Sequence, residues 1–159
     1  MSDLKQELFL MNELRTWNQS QLTGLSVEQL TAIPQGFNNN ILWNVGHLLH
    51  YQIEFTYSLS GAKSPLPESI AEKMGAWFGN STSPKNWTEQ PDSTLIIEHF
   101  KSIGDRLVAD HAKGVFAGFK PIKPFGNLQW DTLQHALIFH LAHEGMHMAS
   151  IGALKKFVK

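Results

Sequence analysis

The histidines are the residues through which this chain could do chemistry. There are eight, and they are unevenly placed. His140, His143 and His147 share one segment. At 100° per residue of α-helix they span about a 60° arc, so one helix face presents three imidazoles. His143 and His147 stand four apart, with Cβ atoms roughly 5–6 Å from each other on a helix. That spacing lets two ring nitrogens converge on one ion at metal–nitrogen distances of about 2.0–2.1 Å. Their stripe runs beside Ala136 and Ile151 and therefore points inward. Burying several neutral imidazoles without partners costs free energy, and a metal ion is the simplest partner they can share. A hydrogen-bonded histidine network is the competing reading. His47 and His50 lie on a second segment, on a stripe with Trp43 and Glu54. His99 and His111 read as surface residues and His135 as peripheral.

The run His143-Glu144-Gly145-Met146-His147 matches the H-E-x-x-H pattern of zinc peptidases, in which Glu144 would be a general base. Two features weaken that reading. The peptidase pattern takes its third ligand downstream, yet Met148 to Lys159 contains no His, Asp or Glu. The chain also lacks a strand on which to hold an extended peptide. The third ligand must come from upstream, and His47 is the best choice. The expected metal ligands are thus His47, His143 and His147. Imidazoles suit Zn, Ni, Cu and Fe alike; Zn or Ni is the expected divalent ion. Glu144, His50 and His140 are candidates for orienting a ligand or moving a proton.

Four long segments with apolar residues at three- and four-residue spacing must position these groups. The first runs from about Leu4 to Leu22 on a stripe of Leu4, Leu8, Met11, Leu14 and Trp17. The second runs from about Asn40 to Leu59, with N-cap candidates in Asn38-Asn39-Asn40 and an apolar face of Ile41, Val45, Leu48 and Leu49. The third begins at Asp92 or Ser93 and stops at Gly114. The fourth runs from about Asp131 to Phe157. A short helix is expected at Val27–Thr31, where Ser26 and Gln29 fit a capping box and Pro34 follows. No clean period-two run marks a strand, so the fold class is all-α, a four-helix bundle. The connection from Gly61 to Pro91 is longer than the roughly 2–8 residues a bundle needs. It is expected to hold one helical stretch, Glu68–Phe78. Its aromatics Trp77, Phe78 and Trp87 either pin the connection to the bundle or, with Trp43, wall a substrate pocket.

The 159 residues predict a single domain, 1–159. Apolar residues are 42% and charged residues 17%, enough for a core and too apolar for a disordered chain. Thirteen Lys and Arg against fourteen Asp and Glu leave a formal charge of −1. That balance argues against nucleic acid as a partner and against a polybasic membrane anchor. No cysteine is present, which excludes disulfides, thiolate metal sites and a protein thiol nucleophile. No apolar run approaches the ~20 residues of a membrane span. No signal pattern opens the chain, so a cytoplasmic location is expected.

With those residues in place the chain resembles the DinB-like family, the DinB/YfiT-like metalloenzymes. The resemblance covers nearly the whole length. It is carried by Leu25-Ser26-Val27-Glu28-Gln29-Leu30 followed by Pro34, by Ile41-Leu42-Trp43-Asn44-Val45-Gly46-His47-Leu48 and by Phe78-Gly79-Asn80-Ser81-Thr82-Ser83-Pro84. Most specific are Thr132-Leu133 and the run from His140 to His147. The resemblance implies an up-down-down-up bundle with one metal ligand on the second long helix, His47, and an H-x-x-x-H pair on the fourth, His143 and His147. Where the family often continues with Arg-Gly-Gln, this chain has Met148-Ala149-Ser150, which weakens a substrate assignment by analogy.

Some relatives resemble thiol-dependent S-transferases. The implied function is a metal-dependent enzyme whose three-histidine site activates a thiol or water, a thiol S-transferase or hydrolase acting on a small molecule. Without a cysteine in the chain, a low-molecular-weight thiol would enter as co-substrate. The alternative is a stress-response metal-binding module whose ion is structural, with a fourth ligand such as His50 or His140 closing the site. Relatives also suggest a homodimer.

Overall fold

The computed structural model describes residues 3–158. Among these residues every extended element is helical, and the one β-type pairing is an isolated antiparallel bridge between Ile122 and Trp130. No helix among them is long and apolar enough to cross a membrane.

Helix α1, Lys5–Leu22, buries Leu8, Met11, Arg15, Asn18 and Leu22. These positions alternate steps of three and four and stay within about an 80° arc. The expected stripe through Leu14 and Trp17 is corrected here: Trp17 is 58% exposed. From Leu8 that stripe advances by three each time, and each such step rotates about 60° off the face. Trp17 therefore ends opposite Leu8. The inward positions it displaced belong to Arg15 and Asn18, both polar.

Helix α2, Val27–Thr31, opens with the expected capping box: Gln29 N–H donates to Ser26 Oγ at 3.3 Å and Ser26 N–H to Gln29 Oε1 at 2.9 Å. Helix α3, Ile41–Ile53, is capped by Asn40, whose side-chain oxygen accepts from Trp43 N–H at 2.7 Å. The expected unbroken helix to Leu59 instead widens into a π-helical turn, Glu54–Ser58, where Leu59 N–H reaches back to Glu54 O at 3.2 Å. The expected single helix Glu68–Phe78 is two short ones, α4 at Glu68–Ala71 and α5 at Met74–Phe78. Helix α6, Ser93–Ala112, starts on the Asp92 cap, and α7 runs Leu133–Lys155.

Helices α1 and α3 each pack against both α6 and α7. Side chains such as Leu8, Met11, Leu48, Phe100, Leu137 and Ile151 fill the space between them. Each such burial is worth about 1.5–3 kcal/mol. Every residue from Ile41 to Leu49 is buried, so α3 has no solvent face over that stretch. Its outer side is covered by α5 and the loop that follows, which explains the length of the connection.

Trp77, Phe78 and Trp87 belong to that cover. Trp87 Nε1 donates to Trp77 O at 2.9 Å, Trp77 Nε1 donates to Glu89 O at 3.2 Å, and the Phe78 and Trp87 rings meet edge to face at 5.6 Å. The Phe78 ring is fully buried on Gly46. A Cβ at residue 46 would overlap that ring, which has nowhere to swing. Gly46→Ala is expected to cost about 1–3 kcal/mol, the usual range for overpacking, read as a lower denaturant midpoint at unchanged slope.

Candidate metal centre

Helix α3 supplies His47, and α7 supplies His143 and His147 one turn apart. One ring nitrogen from each lies within 4.8 Å of those of the other two. The ring centroids are 4.8 Å apart for His47 and His147, 5.0 Å for His47 and His143, and 4.6 Å for His143 and His147. Residues almost a hundred positions apart in sequence thus meet because α3 and α7 pack side by side.

The rings are held from behind. His47 Nδ1 lies 2.7 Å from Phe78 O, which can only accept, so Nδ1 carries the proton and Nε2 is bare. His147 Nδ1 lies 2.7 Å from Asn44 Oδ1. The Asn44 amide nitrogen donates to Asn40 O at 2.8 Å, which fixes the amide and leaves Oδ1 as an acceptor. His147 therefore also keeps its Nε2 bare. Such outer hydrogen bonds are how proteins orient metal-binding imidazoles. Trp43 stacks on His47 at 4.4 Å, and its Nε1 donates to Thr82 Oγ1 at 2.9 Å.

The charge state fits a cation. Burial, then the neighbouring His143, pushes His47 down to about 3 despite the bond to Phe78. Burial, then His140 and His147, lowers His143 to about 3, and burial, then His47, lowers His147 to about 4. At neutral pH all three are neutral, with a ring nitrogen from each within 4.8 Å of the other two. Neutral imidazoles clustered this way are a donor set that a divalent transition-metal ion takes.

Those shifts predict a pH dependence. An unfolded chain protonates these imidazoles near 6.5. Between about 6.5 and 3 the unfolded chain binds protons that the folded chain refuses, so the metal-free protein loses stability as pH falls through that window and is indifferent to these groups above it. Thermal melts in chelator should show a lower Tm at pH 5 than at pH 7. Equal values would show the rings to be solvated.

Beside the cluster lies a cavity of about 250 Å³ lined by His47 and His143, by Tyr51 and Phe55 from α3 and its π turn, and by Phe139 from α7. Asn80, Pro124 and Phe125 complete it. The Phe125 and Phe139 rings meet at 5.2 Å, and Asn80 N–H donates to the Tyr51 hydroxyl at 3.2 Å. Trp43, Trp77, Phe78 and Trp87 are not in this lining. Trp43 supports His47, Phe78 contributes its carbonyl to His47, and the other two hold the loop. A larger cleft of about 580 Å³ near Thr16 and Lys101 contains no histidine.

The remaining histidines separate. His50 packs its ring edge-on against Tyr51 at 4.9 Å, next to Gly75, and does not join the cluster. Burial holds its pKa below the ordinary value. His140 is buried between His143 and Glu144, and Glu144 is bound to Arg15 and Asn18 on α1. Glu144 therefore faces away from the three-histidine point, which is not where a peptidase base would stand. His99 and His111 are half-buried on α6, and the exposed His135 accepts from Asp131 N–H at 3.1 Å.

The sequence profile of the DinB superfamily matches residues 14–151. The chain belongs to the DinB superfamily. The match spans all three clustered histidines and the α1 residues Arg15 and Asn18. Among curated proteins, none matches this DinB-superfamily chain.

Sequence reasoning missed Arg15, Asn18, Asn44, Tyr51, Phe55, Phe139 and Phe125. Arg15 and Asn18 carried a usable signal, because they sit in phase with Leu8, Met11 and Leu22 on an inward stripe. The cavity residues carried none, since an aromatic at helical spacing reads equally well as core.

Proposed function

We propose that the protein is a metal-dependent enzyme in which His47, His143 and His147 hold a divalent ion, Zn or Ni, and that its reaction is transfer of a thiol to a small electrophile. The observation that carries this reading is the aromatic cavity with two of the three histidines in its wall. A purely structural ion would call for a fourth protein ligand. Neither His50 nor His140 joins the cluster, and among the described residues no other His, Asp or Glu does. When bound, the ion would supply Lewis acidity that lowers the pKa of a thiol or water.

The chain's own residues favour the thiol over water. The cavity lining contains no carboxylate and no Lys or Arg, so no general base stands there to help deprotonate water. A thiol, with an ordinary pKa of about 8.5, needs far less help. The chain has no cysteine, so the thiol must arrive as a low-molecular-weight co-substrate. Phe55, Phe139 and Phe125 offer ring faces to an uncharged, flat portion of a substrate. The Tyr51 hydroxyl, which accepts from Asn80, keeps its own proton free to donate.

The helix directions supporting this arrangement are proposed to be up-down-down-up. Gln134 Nε2 donates to Glu7 Oε1 at 2.6 Å and Lys155 Nζ to Gln21 O at 2.8 Å, pairing α1 and α7 start to start and end to end. Asn44 with His147, and Phe55 with Phe139, pair α3 and α7 in opposite directions.

The test is an assay of tag-free, metal-loaded protein against a panel of electrophiles with several low-molecular-weight thiols, following thiol loss. Metal-dependent turnover abolished by a chelator is expected. Hydrolysis of ester substrates without any thiol transfer would replace transfer by hydrolysis, and no turnover at full metal occupancy would contradict the enzyme reading.

A further inference from the structure

Behind the three histidines lies a buried polar group that no step above uses. Arg15, Asn18, Gln52, His140 and Glu144 are all 2% exposed or less. Arg15 Nε donates to Glu144 Oε1 at 2.9 Å, its Nη2 donates to both Glu144 and Gln52, and its Nη1 donates to Phe100 O at 3.2 Å. Asn18 Nδ2 donates to Glu144 Oε2 at 2.7 Å. Desolvating such an ion pair is costly, and apolar side chains fill the same space as well or better. Stability alone does not account for it.

The pair leads to the site in two steps. Glu144 Oε1 lies 3.5 Å from His140 Nε2, a buried nitrogen that makes no hydrogen bond and faces only this carboxylate charge. On the other side of that ring, His140 Nδ1 lies 3.5 Å from His143 Nδ1. The carboxylate, held ionised by Arg15, can only accept. Its negative charge, 3.5 Å away in a dry interior, favours the His140 proton on Nε2 and so leaves His140 Nδ1 as an acceptor. His143 must then donate from Nδ1, which leaves its Nε2 bare, as in His47 and His147.

We infer that Arg15 and Glu144 are positioning residues that fix the tautomer of His140 and, through it, make His143 present an unprotonated Nε2. The relay gives α1 a part in a site whose ligands stand on α3 and α7. It rests on the proposed metal reading only for its consequence on ion affinity; the tautomers are a property of the metal-free protein.

Two variants test it. Glu144→Gln keeps the shape but substitutes an amide that donates as well as accepts. The double variant Arg15→Met with Glu144→Met fills the space with apolar side chains and leaves no unpaired charge should the single variant fail to fold. Histidine side-chain nitrogen NMR on the metal-free wild type should show His140 protonated on Nε2 and His143 on Nδ1, each as one tautomer. Both variants should show mixed tautomers at His143 and bind zinc about 10–100-fold more weakly. A wild-type His143 protonated on Nε2, or variants with unchanged tautomers and zinc affinity, overturns the relay. Wild type with the assigned tautomers but no zinc uptake would sink the metal reading and leave the relay standing.

Discussion

Replacing His143 by alanine is expected to weaken divalent-ion binding by more than about 100-fold. Loss of a hydrogen-bond partner behind a ligand already costs about 10–100-fold, and removing the ligand itself removes a bond to the ion. His143 is one corner of the triangle, with its ring 5.0 Å from that of His47 and 4.6 Å from that of His147. Two remaining imidazoles leave two tetrahedral positions without a protein ligand where three leave one. His47→Ala and His147→Ala are expected to match it. His111→Ala, which alters a half-buried α6 residue outside the cluster, is expected to bind like wild type. Competition against a chromophoric chelator measures all four. Stoichiometric metal at unchanged affinity in the three ligand variants would show the assignment to be wrong.

Arg15→Ala is expected to be strongly destabilising. Breaking a buried ion pair by removing one partner costs about 3–5 kcal/mol, because the remaining charge is left without compensation in a dry interior. For a domain of this size about 2–4 °C of Tm follows each kcal/mol, so a fall of roughly 6–20 °C is expected. Glu144→Ala should behave similarly, since it strands the Arg15 guanidinium beside Phe100. The sign with pH follows from Glu144. Burial by itself would raise its pKa, but the Arg15 charge and the His140 contact outweigh burial and hold it below the usual carboxylate range. The pair's stabilisation is complete above the ordinary carboxylate pKa and is lost as acid protonates Glu144. Thermal melts of Arg15→Ala at neutral pH check this, and an unchanged Tm would mean that Glu144 is solvated.

The long helices and the three clustered histidines were legible because both rest on local spacing. The i, i+4 pair of His143 and His147 needs only helix geometry, and the downstream segment without a ligand forced the third histidine upstream. What was not legible depends on how elements meet. The stripe of Leu8, Met11, Leu14 and Trp17 followed hydrophobicity off the helix face, and the inward positions went to Arg15 and Asn18, whose polarity makes sense only once Glu144 arrives from α7. Trp77, Phe78 and Trp87 had two readings in sequence; in the structure they lie over α3, which is buried throughout from Ile41 to Leu49, and outside the lining of the histidine cavity. The π turn at Glu54–Ser58 has no period of its own to read, and π turns of this kind are frequent at functional sites. Here it carries Phe55 into the cavity wall. Glu144 shows the limit of motif reading. The H-E-x-x-H spelling suggests a base, while its place one residue past His143 turns it about 100° around the helix toward α1.

Anomalous X-ray scattering from crystals of tag-free protein, collected at the absorption edges of zinc and nickel, tests the account most directly. A single peak is expected per chain, about 2.0–2.1 Å from ring nitrogens of His47, His143 and His147, with no fourth protein ligand and with a coordination position open toward Phe55 and Phe139. A peak elsewhere, a site closed by a further side chain, or no peak in metal-supplemented crystals would contradict it.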